Sequence, residues 1–126
     1  MTDPEGVPKA PRLKTNPTRA ATPLASIIIP NWNGIHHLPG CLDALRAQTY
    51  NHTEVILIDN GSTDGSQAFV TEHYPEVHLL ELEHNLGLTG ANNIGFDAAG
   101  GEILISLNND TEAHPRFVEA LVTALI

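Results

Sequence analysis

The chain has 126 residues, of which 41% are hydrophobic and only 5% are aromatic. This length and apolar content suffice for one small domain with a core of aliphatic side chains. Residues 1–20 hold four of the six basic side chains and two of the 15 acidic ones, so residues 21–126 carry a net charge of −11. A body this acidic argues against nucleic acid as a partner, because nucleic-acid binding needs a basic surface. The single cysteine excludes an intrachain disulfide.

The first 23 residues have the composition of a disordered tail. They include five prolines and four basic residues but almost no large apolar side chain, and such segments bury too little surface to fold. We therefore expect a tail over residues 1–23 and a folded domain over residues 24–126. The sequence shows no signal-peptide pattern and no run of 18 apolar residues, so no membrane-spanning segment is predicted.

From residue 24 onward, apolar runs alternate with helical patterns. The spacing of Leu38, Leu42 and Leu45 predicts an amphipathic helix over residues 36–48. Three further helices are predicted: one from a capping-box pattern at 64–67 to about residue 73, one that begins within 85–95 and stops at Gly100, and one that starts at Pro115. The predicted strands span residues 26–29, 54–59, 77–82 and 102–107, and Pro30 is expected to end the first of them.

This alternation predicts an α/β fold with βαβ units and a mainly parallel sheet. The strands read as continuous apolar runs, which is typical of strands covered on both faces. The chain stops inside a helical pattern without a cap signal, and we therefore expect it to be the front part of a longer protein.

The strand exits are polar, and the first of them contains the only tryptophan. Residues 30–34 read Pro-Asn-Trp-Asn-Gly. The flat ring of Trp32 either stacks on a nucleobase or covers the edge of the sheet, and the loop position alone leaves both interpretations open.

The second and third exits offer acceptors and backbone amides. The Asp59 carboxylate could accept a hydrogen bond from a pyrimidine N–H, whereas Asp64 is better explained as a helix N-cap. The loop that begins at Asn85 is rich in Gly and Asn, so its backbone could approach phosphate or sugar oxygens, or could simply pack tightly. Neither the P-loop pattern nor the dinucleotide-binding pattern is present.

The fourth exit carries a carboxylate where open α/β sheets bind ligands. Asp110 is the best candidate metal ligand, and Asn108 and Asn109 could bond ribose hydroxyls or orient a metal-bound water. A helix N-cap before Pro115 is an equally acceptable role for Asp110 in isolation. The seven histidines are scattered without metal-ligand spacing.

Four segments, taken together and in this order, resemble the motifs of the family 2 glycosyltransferases. They are Ser26–Asn33, Val55–Gly65, Asn85–Gly95 and Leu107–Thr111. The resemblance runs from about residue 25 to the end of the chain. The third and fourth segments are most similar to the rhamnosyltransferase-like branch.

The resemblance implies a GT-A fold, mainly a parallel sheet with flanking helices, whose nucleotide-binding half comes first. This chain would be that half, truncated after the fourth strand and the following helix, with the acceptor half absent. The catalytic base of the family, an Asp or Glu, is then expected beyond residue 126.

The resemblance also implies roles for individual residues. Pro30 and Trp32 would line the base pocket, and Asp59 would bond the base. The triplet Asn108-Asn109-Asp110 matches the Asp-x-Asp motif, of which only the last carboxylate, the one expected to touch Mg²⁺ or Mn²⁺, is kept. The remaining nucleotide-sugar-binding candidates in the four segments are Asn31, Asn33, Asn60, Gly87, Asn92 and Asn93.

The implied activity is metal-dependent, inverting transfer of a sugar from a nucleoside-diphosphate donor to a glycan or lipid-linked acceptor. The branch suggests dTDP-rhamnose as the donor, and UDP and GDP sugars remain open alternatives. The family's usual setting is cell-envelope polysaccharide assembly in the cytoplasm or at the inner face of the membrane, with peripheral membrane association. The main alternative is a non-catalytic nucleotide-sugar-binding module or an inactive truncated fragment. A response-regulator receiver ranks low, because that class needs an acidic cluster where this chain has Asn-Trp-Asn.

Overall fold

A computed structural model describes residues 22–126, and residues 1–21 of the predicted tail lie outside the described residues. Strands and helices alternate along the described chain. The strands are β1 (Ala25–Asn31), β2 (Thr53–Asp59), β3 (His78–Glu81) and β4 (Ile103–Ser106). The helices are α1 (Leu38–Arg46), α2 (Ser66–His73), α3 (Gly87–Ala98) and α4 (Phe117–Leu125).

The four strands form one sheet in the order β3-β2-β1-β4, and every neighbouring pair is parallel. β1 pairs with β2 from Ala25↔Thr53 to Asn31↔Asp59. On its other side β1 pairs with β4 over a shorter stretch, which ends at Ile28↔Ser106. The predicted α/β fold with a parallel sheet is confirmed.

Two apolar layers cover the sheet. On one face Ile27, Ile29 and Leu57 pack with α1, α2 and α4. On the other face Ile28, Ile56 and Ile58 pack with α3. Because β1 lies in the middle of the sheet, all seven of its residues are buried.

The prediction that Pro30 ends the first strand is wrong. The backbone carbonyl of Ile28 points toward β4, because it accepts the Leu107 N–H at 2.9 Å. The carbonyl of Asn31 points toward β2 and accepts the Asn60 N–H at 2.8 Å. Because the backbone groups of successive strand residues point to opposite sides, the backbone of Pro30 points toward β4, like that of Ile28. The pairing of β1 with β4 has already ended at Ile28↔Ser106. The missing N–H of Pro30 therefore costs no ladder bond, and the strand continues to Asn31.

The expectation that all strands are covered on both faces is wrong for β4. Ile103 and Ile105 are buried, but Leu104 is 48% exposed. Among the described helices, α3 is the one that covers that face of the sheet, and it packs against β1 and β2. Within residues 22–126, β4 is therefore an edge strand with one covered face.

The capping box predicted at the start of the second helix is also not formed. α2 begins after Gly65, whose φ of 90° only glycine adopts easily. The Asp64 carboxylate still accepts the Ser66 N–H at 3.0 Å. The Gln67 side chain, however, donates to Asp59 Oδ2 instead of to the start of the helix.

No helix within residues 22–126 is long and apolar enough to cross a bilayer. The two described residues of the predicted tail contact the loop before β2. The Tyr50 hydroxyl donates to the Pro23 carbonyl, and a His52 ring nitrogen lies 2.8 Å from the Thr22 carbonyl oxygen.

Candidate functional site

The sheet order places a crevice at the carboxyl ends of β1 and β4. The chain leaves β1 toward β2 on one side, and β4 arrives on the other, so the loops that follow these two strands diverge. Ligands of open α/β sheets bind at such a topological switch point.

A cleft of about 370 Å³ lies at these strand ends. Loops after β1, β2 and β4 and the first turn of α3 build its wall. The lining residues are Pro30, Asn31, Trp32, Asn60, Asn85, Gly87, Leu88, Asn108, Asn109 and Asp110. All of them except Asn85 and Leu88 are residues that the sequence singled out.

Trp32 and Leu88 provide the two exposed apolar surfaces of the cleft. Trp32 is 55% exposed and Leu88 is 60% exposed. The open ring of Trp32 leaves it free to stack on a planar ligand. Sequence reasoning did not identify Leu88, which stands out only as an apolar residue in the first turn of α3.

Four predicted site residues do not line the cleft. Asn33 lies beside it and joins the β1 and β2 loops, since its Oδ1 accepts the Thr63 N–H at 2.7 Å. Asn92, on α3, accepts a hydrogen bond of 2.9 Å from the Ser106 hydroxyl, and Asn93 is exposed. The fourth residue, Asp59, is fully buried.

The Asp59 carboxylate is saturated by protein donors. Oδ1 accepts from Asn31 Nδ2 at 3.0 Å and from the Ser62 hydroxyl at 2.7 Å. Oδ2 accepts from the Ser62 N–H at 2.8 Å and from Gln67 Nε2 at 2.7 Å. A carboxylate has about four acceptor positions, so a bond from Asp59 to a base would require one of these contacts to be exchanged.

Asn60 and Asn85 fix the first turn of α3 against the cleft. Asn60 Oδ1 accepts the Leu86 N–H at 3.0 Å, and its Nδ2 donates to the Gly87 carbonyl at 3.3 Å. Asn85 Oδ1 accepts the Gly87 N–H at 2.8 Å. Gly87 has a φ of 78°, a backbone conformation that other residues rarely adopt. A Cβ at this position would meet nothing within 4 Å, so this backbone conformation, not lack of space, requires glycine.

The loop after β4 is tied to the exit of β1. Asn109 Nδ2 donates to Asn31 Oδ1 at 2.8 Å, and the Cys41 thiol lies 3.9 Å from the Asn108 carbonyl. Burial, together with the smaller effects of the negative charges of Asp110 and Glu112, raises the pKa of Cys41 to about 11. The buried Cys41 thiol therefore packs against this loop, close to the carboxylates of Asp110 and Glu112.

The residues present fit a metal ion that is shared with a ligand. Asp110 is exposed and is the only charged residue that lines the cleft. Residues 22–126 contain no group of three or more His, Cys, Asp or Glu that could hold a metal ion, so this part of the chain does not build an all-protein cage. Mg²⁺ is commonly held by one or two carboxylates together with substrate phosphates. Asp110, beside the neutral amide side chains of Asn108 and Asn109, suits metal binding that is shared with substrate phosphates.

The sequence pattern of glycosyl transferase family 2 matches residues 26–126, which contain every lining residue of the cleft. This chain belongs to glycosyl transferase family 2. Among curated proteins similar to it, this chain is 36% identical over 101 residues to the uncharacterized glycosyltransferase YibD of Escherichia coli K12. That alignment covers 78% of this chain and 29% of YibD.

Solved glycosyltransferase structures share the fold. The mannosyltransferase PcManGT of Pyrobaculum calidifontis, in complex with GDP-Man and Mn²⁺, superposes with a TM-score of 0.71 at 28% identity, over 82% of this chain and 31% of that one. TarS 1–349 of S. aureus, in complex with UDP, gives a TM-score of 0.73 at 22% identity, over 79% of this chain and 31% of that one. The second likeness shows the fold alone. The chain spans about a third of the length of the relatives it matches.

Proposed function

We propose that this chain is the donor-binding part of a family 2 glycosyltransferase that transfers a sugar from a nucleoside-diphosphate donor with the help of a divalent metal ion. One observation carries the proposal: a single cleft at the switch point joins an open tryptophan face to a lone exposed carboxylate. The tryptophan suits a nucleobase, and the carboxylate suits a metal that also touches a diphosphate.

The proposed roles follow the wall of the cleft. Pro30 and Trp32 hold the base, and Asp110 holds Mg²⁺ or Mn²⁺. Asn108 takes the position of the ribose contact, beside Asn31 and Asn109. Asn60 and Gly87 shape the wall formed by the start of α3. Asn92 and Asn93 lie further along α3, where a sugar that extends past Ser106 would pass.

The charge of the cleft explains why a metal is needed. The lining residues include no Lys or Arg, and Arg46 and Arg116, the fixed cations of the described residues, form ion pairs with Glu76 and Glu119. A divalent ion, when bound, supplies the positive charge that stabilises the departing nucleoside diphosphate. The protein residues orient the donor and shield it on the apolar side.

In the proposed reaction an acceptor hydroxyl attacks the anomeric carbon and inverts it. A carboxylate from the part of the protein beyond residue 126 takes the proton of that hydroxyl. The resemblance of the third and fourth segments to the rhamnosyltransferase-like branch supports dTDP-rhamnose as donor and a glycan or lipid-linked acceptor. It also supports a role in envelope polysaccharide assembly in the cytoplasm, at the inner face of the membrane.

Calorimetric titration of dTDP, UDP and GDP, with and without Mn²⁺, tests the donor site. We expect one nucleotide to bind only with the metal, and Asp110→Ala to weaken that binding by more than about tenfold, which corresponds to ~1.4 kcal/mol. Glu112→Ala is the matched control, because it removes a carboxylate of the same loop that does not line the cleft. Equal affinity of the parent chain and Asp110→Ala would contradict the metal role.

The runner-up function is a nucleotide-sugar-binding module that transfers nothing. It shares the cleft, so binding alone does not separate the two. A chain extended beyond residue 126, supplied with donor and acceptor, distinguishes them: release of free nucleoside diphosphate indicates transfer, and binding without release indicates the module.

A further inference from the structure

The side chain of Asn109 joins two strand exits that are far apart in sequence. Its Nδ2 donates to Asn31 Oδ1 at 2.8 Å, and Asn31 Nδ2 in turn donates to Asp59 Oδ1 at 3.0 Å. We propose that Asp59 and Asn31 are positioning residues that orient the amide of Asn109 and so hold the loop that carries Asp110. The consequence for the metal site rests on the proposed function, whereas the positioning itself does not.

The direction of this chain of hydrogen bonds is fixed by its buried end. An ionised carboxylate only accepts, so Asn31, which is 1% exposed, must turn its NH₂ group toward Asp59. Its carbonyl oxygen therefore faces Asn109. Asn109 must then donate with its own NH₂ group, which leaves its Oδ1 pointing away from Asn31.

Packing allows the Asn109 side chain little other freedom. It lies directly over Gly34, where an added Cβ would come within 2.2 Å of Asn109 Nδ2 and 2.6 Å of Asn31 Oδ1. The absence of a side chain at Gly34 thus leaves the room that the amide pair occupies. The backbone on either side is held by the Leu107 N–H, which donates to Ile28, and by the Thr111 N–H, which donates to Asn108.

This arrangement predicts that position 109 rejects a carboxylate, although Asp has the shape of Asn. In Asn109→Asp, two acceptors would face each other across a half-buried contact. A simple charge argument predicts the opposite for the proposed metal site, since a second carboxylate beside Asp110 would strengthen cation binding. The two views therefore give opposite expectations for one substitution.

Hydrogen exchange and thermal unfolding of the chain as it stands test the positioning. In Asn109→Asp we expect the backbone amides of Leu107 and Thr111, which donate hydrogen bonds on either side of Asn109, to exchange about tenfold faster at neutral pH, the ratio that corresponds to leaving a buried acceptor unpaired. The melting temperature at neutral pH should fall below that of the parent chain, because the two facing acceptors have no donor between them.

Two further variants separate this effect from other causes. Asn109→Leu cannot donate to Asn31 and adds no charge, so the same amides should again exchange faster than in the parent chain. Asn108→Asp adds the same charge to the same loop on an exposed side chain, and should leave exchange near the parent value. Mn²⁺ affinity, measured by paramagnetic resonance with the nucleotide that binds best, should fall in Asn109→Asp.

Each outcome decides one claim. Unchanged exchange of these amides in either Asn109 variant overturns the positioning. A parent chain that binds no nucleotide with Mn²⁺ overturns the proposed donor site, while the exchange data still decide the positioning. Tighter Mn²⁺ binding in Asn109→Asp overturns the effect on the metal loop.

Discussion

Asn31 and Asp59 show how neutral amides and one buried charge can organise a site. Both side chains are at most 1% exposed, and every bond that their side chains make in the described structure reaches a residue of a strand exit or of α2. A buried charge is tolerated only when it is fully hydrogen-bonded. The four hydrogen bonds that Asp59 accepts therefore hold the loops around the cleft in place.

Cys41 is a residue whose surroundings give a direct chemical test. It is 1% exposed, and its pKa is raised to about 11 by burial, with Asp110 and Glu112 adding to the effect. Since the thiolate is the reactive form, we expect iodoacetamide to alkylate Cys41 at pH 8 at least about a hundredfold more slowly than a free thiol of pKa ~8.5. Mass spectrometry measures the rate. Chain unfolded in urea is the control and should react at the free-thiol rate; equal rates in both states would contradict the buried position.

Among the helices, α3 lies close to the sheet because a glycine stands at the contact. Ala91 and Gly95 are the buried residues of α3. A Cβ on Gly95 would come within 2.5 Å of Ile28 Cγ2 and 2.9 Å of Ile28 Cγ1. The helix can therefore lie on β1 only because position 95 has no side chain, and this depth places the first turn of α3 at the cleft.

Gly95→Ala tests this helix–sheet contact. Helix propensity alone predicts a gain in stability of about 1 kcal/mol, but the clash with Ile28 should outweigh it and give a net loss of ~1–3 kcal/mol in the free energy of unfolding. Urea denaturation of Gly95→Ala, Ile28→Ala and the double variant gives the coupling. We expect the double variant to be more stable than the sum of the single effects, because Ile28→Ala removes both clashing carbons. Strict additivity would show that α3 moves away instead.

At the scale of the whole molecule, one face of β4 is left open. Leu104 is 48% exposed and Phe96 36% exposed, and within residues 22–126 the outer edge of β4 has no neighbouring strand. Open apolar strand edges pair readily with other chains. The net charge of −11 over residues 21–126 opposes such association at low ionic strength.

We therefore expect this chain to self-associate more strongly as salt is added, since salt screens the repulsion. Leu104→Lys should reduce the association without a loss of stability greater than about 0.5 kcal/mol, because the side chain is half exposed. Sedimentation velocity at two salt concentrations measures it. Ile105→Lys is the contrasting variant, since Ile105 is 7% exposed and the same substitution there should unfold the chain. Association that is unaffected by Leu104→Lys would place the contact elsewhere.

The sequence by itself determined the order of strands and helices and the polar character of each strand exit. Strand and turn signals depend on a few neighbouring residues, whether they are apolar runs, glycines or prolines. The apolar runs at 26–29 and 54–59 therefore predict two strands without any tertiary information. Parallel pairing follows from the alternation, and the carboxyl ends of parallel strands must share one edge. The meeting of Trp32 with Asp110 at one cleft was predictable for that reason.

Only the tertiary structure decided what each polar side chain does at that edge. Asn109 and Asn31 are 78 positions apart, and Asn31 and Asp59 are 28 apart. Whether Asp59 faces a ligand or its own protein depends on contacts at that separation, which no local pattern encodes. The same holds for Pro30, whose strand continues because the β4 ladder has already ended beside it, and for Gly34, whose missing side chain matters only because Asn109 lies over it.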